Sequence, residues 1–242
     1  MKIAIDAGHG PNTPGKRCPD DSMREYFFNS VTARYAAALL RGYEGVEILE
    51  TFEDARDVPL QERTDRANAW KADLFVSIHA NASGNDWSTA RGIETFVFTS
   101  RPAAAVALAN AVQRQLIKVT GLVDRGVKAD DLHVLRETRM TAILVECGFM
   151  TNRDEAALLK SDAYRQKCAL AIVAGVVETY GLKKKEGVKD MFMDVGAEHW
   201  AKAAIEKVAA AKVMQGYKDG SFKPDQPVTR AELAAVVANL LK

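Results

Sequence analysis

Five short, strand-like segments rich in apolar residues punctuate the first 150 positions of the chain, and between them apolar residues recur at helical spacing. The runs fall at 2–6, 46–51, 74–79, 93–98 and 142–146, and each is short enough to be a strand. Two of them, LFVSIH and AILVEC, carry apolar residues at consecutive positions, as strands covered on both faces do. The helical spacing predicts helices over 23–41, over 60–70 behind Pro59, over 103–120 and over 164–180. Strands alternating with helices predict an α/β domain: a layered structure with a mostly parallel central sheet flanked by helices. In such sheets, ligands gather where the carboxyl ends of the strands open outward.

The pattern changes at residue 182. LKKKEGVKD, residues 182–190, is charged and has no apolar period, which reads as a solvated linker. Residues 191–242 then form a small, mainly helical module, with helices predicted at 200–212 and 229–241 around the turn-rich GYKDGSFKPDQP. Some fifty residues supply only a marginal core. The expected organisation is therefore a domain over 1–181, a linker over 182–190 and a module over 191–242.

Composition removes several classes of partner. The 33 basic and 32 acidic residues nearly cancel, at +1, so the chain lacks the basic excess of a nucleic-acid-binding protein. No apolar run is long enough to span a membrane. The opening MKIAIDAGHG has one lysine and an apolar run broken at Asp6, too short for a signal-peptide core, so synthesis in the cytoplasm without a signal peptide is expected. Cys18, Cys147 and Cys168 form neither a paired framework nor a CxxC motif and read as reduced thiols, with Cys147 a small buried residue.

Two of the four histidines, His9 in IDAGHG and His79 in LFVSIHAN, stand at or just after strand ends beside small residues. The glycines around His9 permit a sharp turn and a close approach. A catalytic zinc site takes three protein ligands and keeps a fourth position for water, so a third donor near the two histidines is needed. Glu25 suits, because it begins the first long helix just after the loop that follows His9; Asp6 is the other carboxylate in range, with a turn or supporting role preferred. Glu146, closing AILVE, is a carboxylate at the mouth of a buried strand. It either serves as a proton carrier or is held in an ion pair, since its burial demands one or the other.

DAGHG at 6–10, Glu25, SIHAN at 77–81 and VECGFMTN at 145–152 together resemble the zinc-dependent N-acetylmuramoyl-L-alanine amidases of the amidase-3 class. PLQERTDRAN at 59–68 and GIETFVF at 92–98 add to the likeness, which runs over most of 1–180 in the family's order. The resemblance implies one Zn2+ per chain held by His9, Glu25 and His79, with Glu146 as the catalytic glutamate and Arg63 and Asn81 at the substrate. It implies peptidoglycan as substrate, cut at the amide between N-acetylmuramic acid and the L-alanine of the stem peptide. His133 falls outside the matched ligand set. The loop ASGNDWSTAR at 82–91 is too short for an inserted inhibitory helix, so an open site is expected.

Residues 191–242 resemble one S-layer homology module, through FMDV at 192–195, HWA at 199–201, DGSF at 219–222 and VTRAE at 228–232. That family binds secondary cell-wall polysaccharide, and the resemblance implies Asp194, Trp200 and Arg230 as contacts. Arg230 suits an acidic group because its planar fork pairs bidentately. Such modules usually come in threes and this chain has one, so either one copy binds weakly or several chains assemble and raise avidity. The combined expectation is a cell-wall hydrolase of phage or prophage endolysin type that acts at the wall after release. The alternatives are a mother-cell autolytic amidase of a spore former, another zinc peptidase or deacetylase of the wall, and an inactive wall-binding protein.

Overall fold

The computed structural model describes residues 1–13, 15–185, 192–196, 199, 201–217 and 219–240. They divide into two units, Met1–Lys183 and Lys184–Lys242.

The first unit is built on a six-stranded sheet in the order β2-β1-β3-β6-β4-β5. Its strands are β1 (Lys2–Ala7), β2 (Glu47–Glu50), β3 (Leu74–Asn81), β4 (Ile93–Val97), β5 (Asp124–Ala129) and β6 (Thr141–Phe149). Neighbours pair in parallel except β4 with β6, which is antiparallel. The helices are α1 (Glu25–Arg41), α2 (Leu60–Ala69), α3 (Ala103–Thr120), α4 (His133–Arg136), α5 (Arg153–Lys160) and α6 (Asp162–Tyr180). This is the layered α/β architecture that the strand and helix periods predict.

Successive side chains of a strand point to opposite faces, and here that alternation sorts the core. Ile3, Ile5, Val76, Ile78, Ile143 and Val145 pack on one face with residues of α1, α3 and α6. Ala4, Phe75, Ala142 and Leu144 pack on the other with Ala67 of α2 and Val134 and Leu135 of α4. Toward the carboxyl ends of β1, β3 and β6 this second face turns polar. Ala4 is followed by Asp6, Phe75 by Ser77 and His79, and Leu144 by Glu146. Glu94 of β4 stands directly opposite Glu146. The same period-2 rule that buries the core therefore lines up a row of functional side chains.

Three elements lay outside the sequence expectation. β5 (DRGVKA) is a polar edge strand whose one large apolar residue, Val127, packs against the core, too little to show a period. Helices α4 and α5, of four and eight residues, are too short to show a period. β6 also runs on to Phe149, so Glu146 lies inside the strand rather than at its end.

The second unit holds α7 (Lys202–Ala210) and α8 (Arg230–Leu240). Its buried centre among the described residues is Phe192, Val195 and Ile205, with Phe222 packed against it and the Phe192 and Phe222 rings 5.0 Å apart. Thr229 and Glu232 form a capping box at the start of α8: Glu232 accepts from the Thr229 N–H and hydroxyl, and the Thr229 hydroxyl accepts from the Glu232 N–H. No residue of α8 is buried.

Candidate functional site

The site forms where three local features meet. β1 ends at Ala7, and the chain turns through Gly8 into His9, which adopts a left-handed φ of 66°. β3 carries His79 on its polar face, just before a register shift between His79 and Asn81. Helix α1 starts at Glu25, where a carboxylate is favoured by the unpaired N–H groups and dipole of a helix N-terminus.

Glu25 is 2% exposed and bridges both imidazoles. His9 Nε2 lies 3.0 Å from its Oε2, and His79 Nδ1 lies 2.8 Å from its Oε1. One ligand atom from each of the three residues lies within 4.8 Å of the others, the one such group among the described residues. Donors around a tetrahedral zinc at about 2 Å stand roughly 3.3 Å apart, so two imidazole nitrogens and a carboxylate at these spacings fit a catalytic zinc. Burial opposes the charge of Glu25, but hydrogen bonds from His79 and His9 outweigh it and hold the carboxyl well below its usual range. Burial likewise works against a charged His9, and the Glu25 carboxylate beside it prevails, raising its pKa.

The surroundings hold these three groups in place. Asn29, one helical turn after Glu25, is fully buried; its Nδ2 donates to the Gly8 carbonyl at 3.0 Å and to Glu25 Oε1 at 3.2 Å. The Lys16 N–H donates to Glu25 Oε2 at 3.1 Å. A Cβ on Gly8 would stand 2.0 Å from His79 Cε1, and one on Gly15 would stand 2.9 Å from His9 Cγ. Gly8 of the opening motif and Gly15 beyond it thus make room for the imidazoles themselves.

Beneath His9 lies a buried ion pair. Asp6 and Arg63 are 1% and 2% exposed and meet at 2.8 Å. Asp6 also accepts from Thr51 at 2.7 Å and from Ser77 at 2.6 Å. Burial opposes the Asp6 charge, but the Arg63 cation and these hydroxyls hold its pKa below the ordinary value. Arg63 further donates to the carbonyls of Val58, Ala7 and His9. Arg63 was expected at the substrate; the structure places its guanidinium under β1, buried and bonded to the protein. Asp6, whose two oxygens are both engaged here, stands outside the ligand group.

Glu146 pairs in register with His79 on one side and Glu94 on the other. Its Oε2 is buried without a hydrogen-bond partner. Burial, then the Glu25 and Glu94 carboxylates, push its pKa well above the ordinary value. Among the described residues it takes part in no ion pair. Asn81 is also engaged within the protein: its Nδ2 donates to Glu94 at 2.7 Å and its Oδ1 accepts from the Ala82 N–H. Sequence reasoning missed Asn29 and Glu94, although a glutamate in the apolar GIETFVF was a signal for the second.

In the second unit, Asp194 accepts from the Phe222 and Lys223 N–H groups at 2.7 and 2.6 Å. It braces the turn after residue 219 and is half-buried. Arg230 opens α8 and is exposed. Trp200 lies outside the described residues.

Comparison with known proteins converges on one family. The family model described as N-acetylmuramoyl-L-alanine amidase matches residues 3–178, and the S-layer homology domain model matches residues 192–234. The sporulation-specific N-acetylmuramoyl-L-alanine amidase of Bacillus subtilis is 31% identical over 221 residues, covering 90% of this chain and 82% of that protein. The endolysin of Bacillus phage SPP1 is 37% identical over 187 residues, covering 76% and 68%. Among solved structures, the catalytic domain of the amidase CwlV from Bacillus (Paenibacillus) polymyxa superposes with a TM-score of 0.70 at 34% identity, covering 76% of this chain and 99% of that one.

Proposed function

The chain belongs to the N-acetylmuramoyl-L-alanine amidase family and carries an S-layer homology domain, and from that premise we propose that His9, Glu25 and His79 hold one zinc ion while Glu146 carries the proton of amide hydrolysis. The observation that supports this most is the convergence of two imidazoles on one buried carboxylate, one strand away from an unpaired carboxyl. When bound, zinc supplies Lewis acidity toward the scissile carbonyl and makes water more acidic.

The chain's own residues account for the rest. Arg63 and Asn29 fix the backbone around His9, and Asn29 also fixes the Glu25 carboxylate, so the three donors are set before substrate arrives. Glu146 Oε2 has no competing partner, so it is free to take a proton from the attacking water and return it to the L-alanine nitrogen. The water oxygen bonds the lactyl carbonyl carbon, the C–N bond breaks, and the returned proton completes the amine. A carboxyl held above its ordinary pKa by burial and neighbouring carboxylates binds a proton more readily than a free one, as a proton carrier must.

In this reading residues 1–181 perform the chemistry on peptidoglycan, 182–190 tether, and 191–242 anchor the enzyme to secondary cell-wall polysaccharide, with Arg230 as an acid-binding contact and self-association raising avidity. Endolysin and sporulation amidase both stand among the relatives. We favour the endolysin role, with action at the wall after release. No helix among the described residues is long and apolar enough to cross a membrane.

The test is digestion of purified Gram-positive walls. New L-alanine amino termini, lost with a chelator and in Glu146→Ala, are expected. New reducing sugars, new internal peptide ends, or full activity in Glu146→Ala would overturn the reading.

A further inference from the structure

The polar row of the sheet does not stop at Glu146. The next strand places Glu94 directly opposite it, 4% exposed, and the strand after that brings two cations to the same carboxylate. Arg125 Nε donates to Glu94 Oε2 at 2.7 Å, Lys128 Nζ donates to the same oxygen, and Asn81 Nδ2 holds Oε1. The side chains of Arg125 and Lys128 are 34% and 39% exposed, against 5% for that of Glu94. One carboxylate is thus faced by two cations, and a single positive charge remains unbalanced at the solvent side. The Arg125 guanidinium also lies over the Phe149 ring, 4.9 Å from its centre. A buried anion that gathers two half-exposed cations is more than is needed to neutralise it. The geometry is that of a preset anchor: Glu94 holds Arg125 Nε and Lys128 Nζ, the Arg91 carbonyl accepts from Arg125 Nη1 at 3.5 Å, and both side chains stay partly open to solvent.

We infer that Arg125 and Lys128, held by Glu94, form a subsite for a carboxylate of the stem peptide beside the scissile bond. The inference rests on the amidase reading and deepens it by naming what the enzyme selects. Neighbouring strands are about 4.8 Å apart, so the β5 cations stand roughly 10 Å along the row from Glu146, less the reach of their own side chains toward it. Peptidoglycan stems continue from L-alanine to a γ-linked D-glutamate, whose α-carboxylate is either free or amidated. One extended residue covers about 3.5 Å, so that group lies within roughly 7 Å of the scissile nitrogen. The carboxylate falls within reach of the two cations when the nitrogen lies at Glu146, and an arginine fork and a lysine ammonium are the groups that recognise a carboxylate over an amide.

The experiment uses the full chain with zinc and two synthetic muramyl peptides that differ only in that α-group, free acid or amide. The wild type is expected to favour the free acid by about tenfold in kcat/KM, with the difference in KM, as for a half-exposed charged contact. The ratio should fall to within about twofold in R125M/K128M, while R125K and K128R each keep most of it. Because the ratio compares two substrates on one protein sample, any general loss of activity or of folded fraction cancels. A wild-type ratio near one, a preference for the amide, or a ratio unchanged in R125M/K128M overturns the subsite. If the wild type cleaves neither substrate, the amidase reading fails instead. The subsite is then read by calorimetric titration with the corresponding L-alanyl-γ-D-glutamate and amidated dipeptides, where equal affinities overturn it.

Discussion

Replacing Arg63 by methionine removes the guanidinium while keeping much of the side chain's bulk, and it leaves Asp6 as a buried carboxylate without its cation. Breaking a buried pair in this way costs about 3–5 kcal/mol, because the remaining charge is left uncompensated. For a domain of this size that corresponds to a fall in melting temperature of about 6–20 °C at pH 7. Three carbonyls, those of Val58, Ala7 and His9, lose a donor as well, and the last of these belongs to a zinc-ligand candidate in a left-handed conformation. Activity should therefore fall further than the loss of folded protein explains. The sign of the pH dependence distinguishes this account from generic damage. In the wild type Asp6 is held below its ordinary pKa, so its contribution is present above that value and fades as pH falls from about 5 toward 2. In Arg63→Met burial becomes the dominant influence and pushes the carboxyl up. Its contribution is then unfavourable at neutral pH and relieved when the group protonates. The gap between wild type and variant should narrow as pH drops from 7 to 4, and Asp6→Asn in the Arg63→Met background should recover part of the loss at pH 7. Melting followed by circular dichroism over that pH range, with a double-mutant cycle at pH 7, tests this. A gap that stays constant with pH, or a loss below about 1 kcal/mol, would show that Asp6 does not depend on the Arg63 cation.

Other outcomes follow from the same geometry. Glu146→Gln should lower kcat by about two to four orders of magnitude while keeping zinc, measured by amine release and by metal content. It should not lower the melting temperature, because Oε2 has no partner to lose. Gly8→Ala should displace the His79 ring, which a Cβ would meet at 2.0 Å; weaker zinc binding in a competition assay is the readout, and unchanged affinity would contradict the packing described. Asp194→Ala removes the acceptor of two backbone N–H groups, at about 1 kcal/mol each. Full-length protein should then pellet less with walls, and Asp194→Asn, which keeps one acceptor oxygen, should recover part of that binding.

Much of the fold is legible in the chain because it rests on local periods. Apolar runs such as LFVSIH are strands, the spacing through 103–120 is a helix, and their alternation dictates a layered sheet. The strand-end histidines and the glutamate at the head of α1 are visible for the same reason: an element's end decides where its residues point. What the sequence leaves open is set by contacts far apart along the chain. Arg63 looks like a surface residue of an amphipathic helix; only the placement of α2 against β1 turns it inward to Asp6, 57 positions away. Asn81 looks like a free amide after a histidine, until β4 brings Glu94 beside it. β5 has almost no apolar signature, so neither the strand nor its two cations can be anticipated before the sheet exists. The elements, their faces and the chemical types at their ends are legible along the chain, because these depend on neighbours within a few residues. Tertiary structure alone decided which polar residues are bonded within the protein and which remain open to a ligand, because that depends on strand order and register.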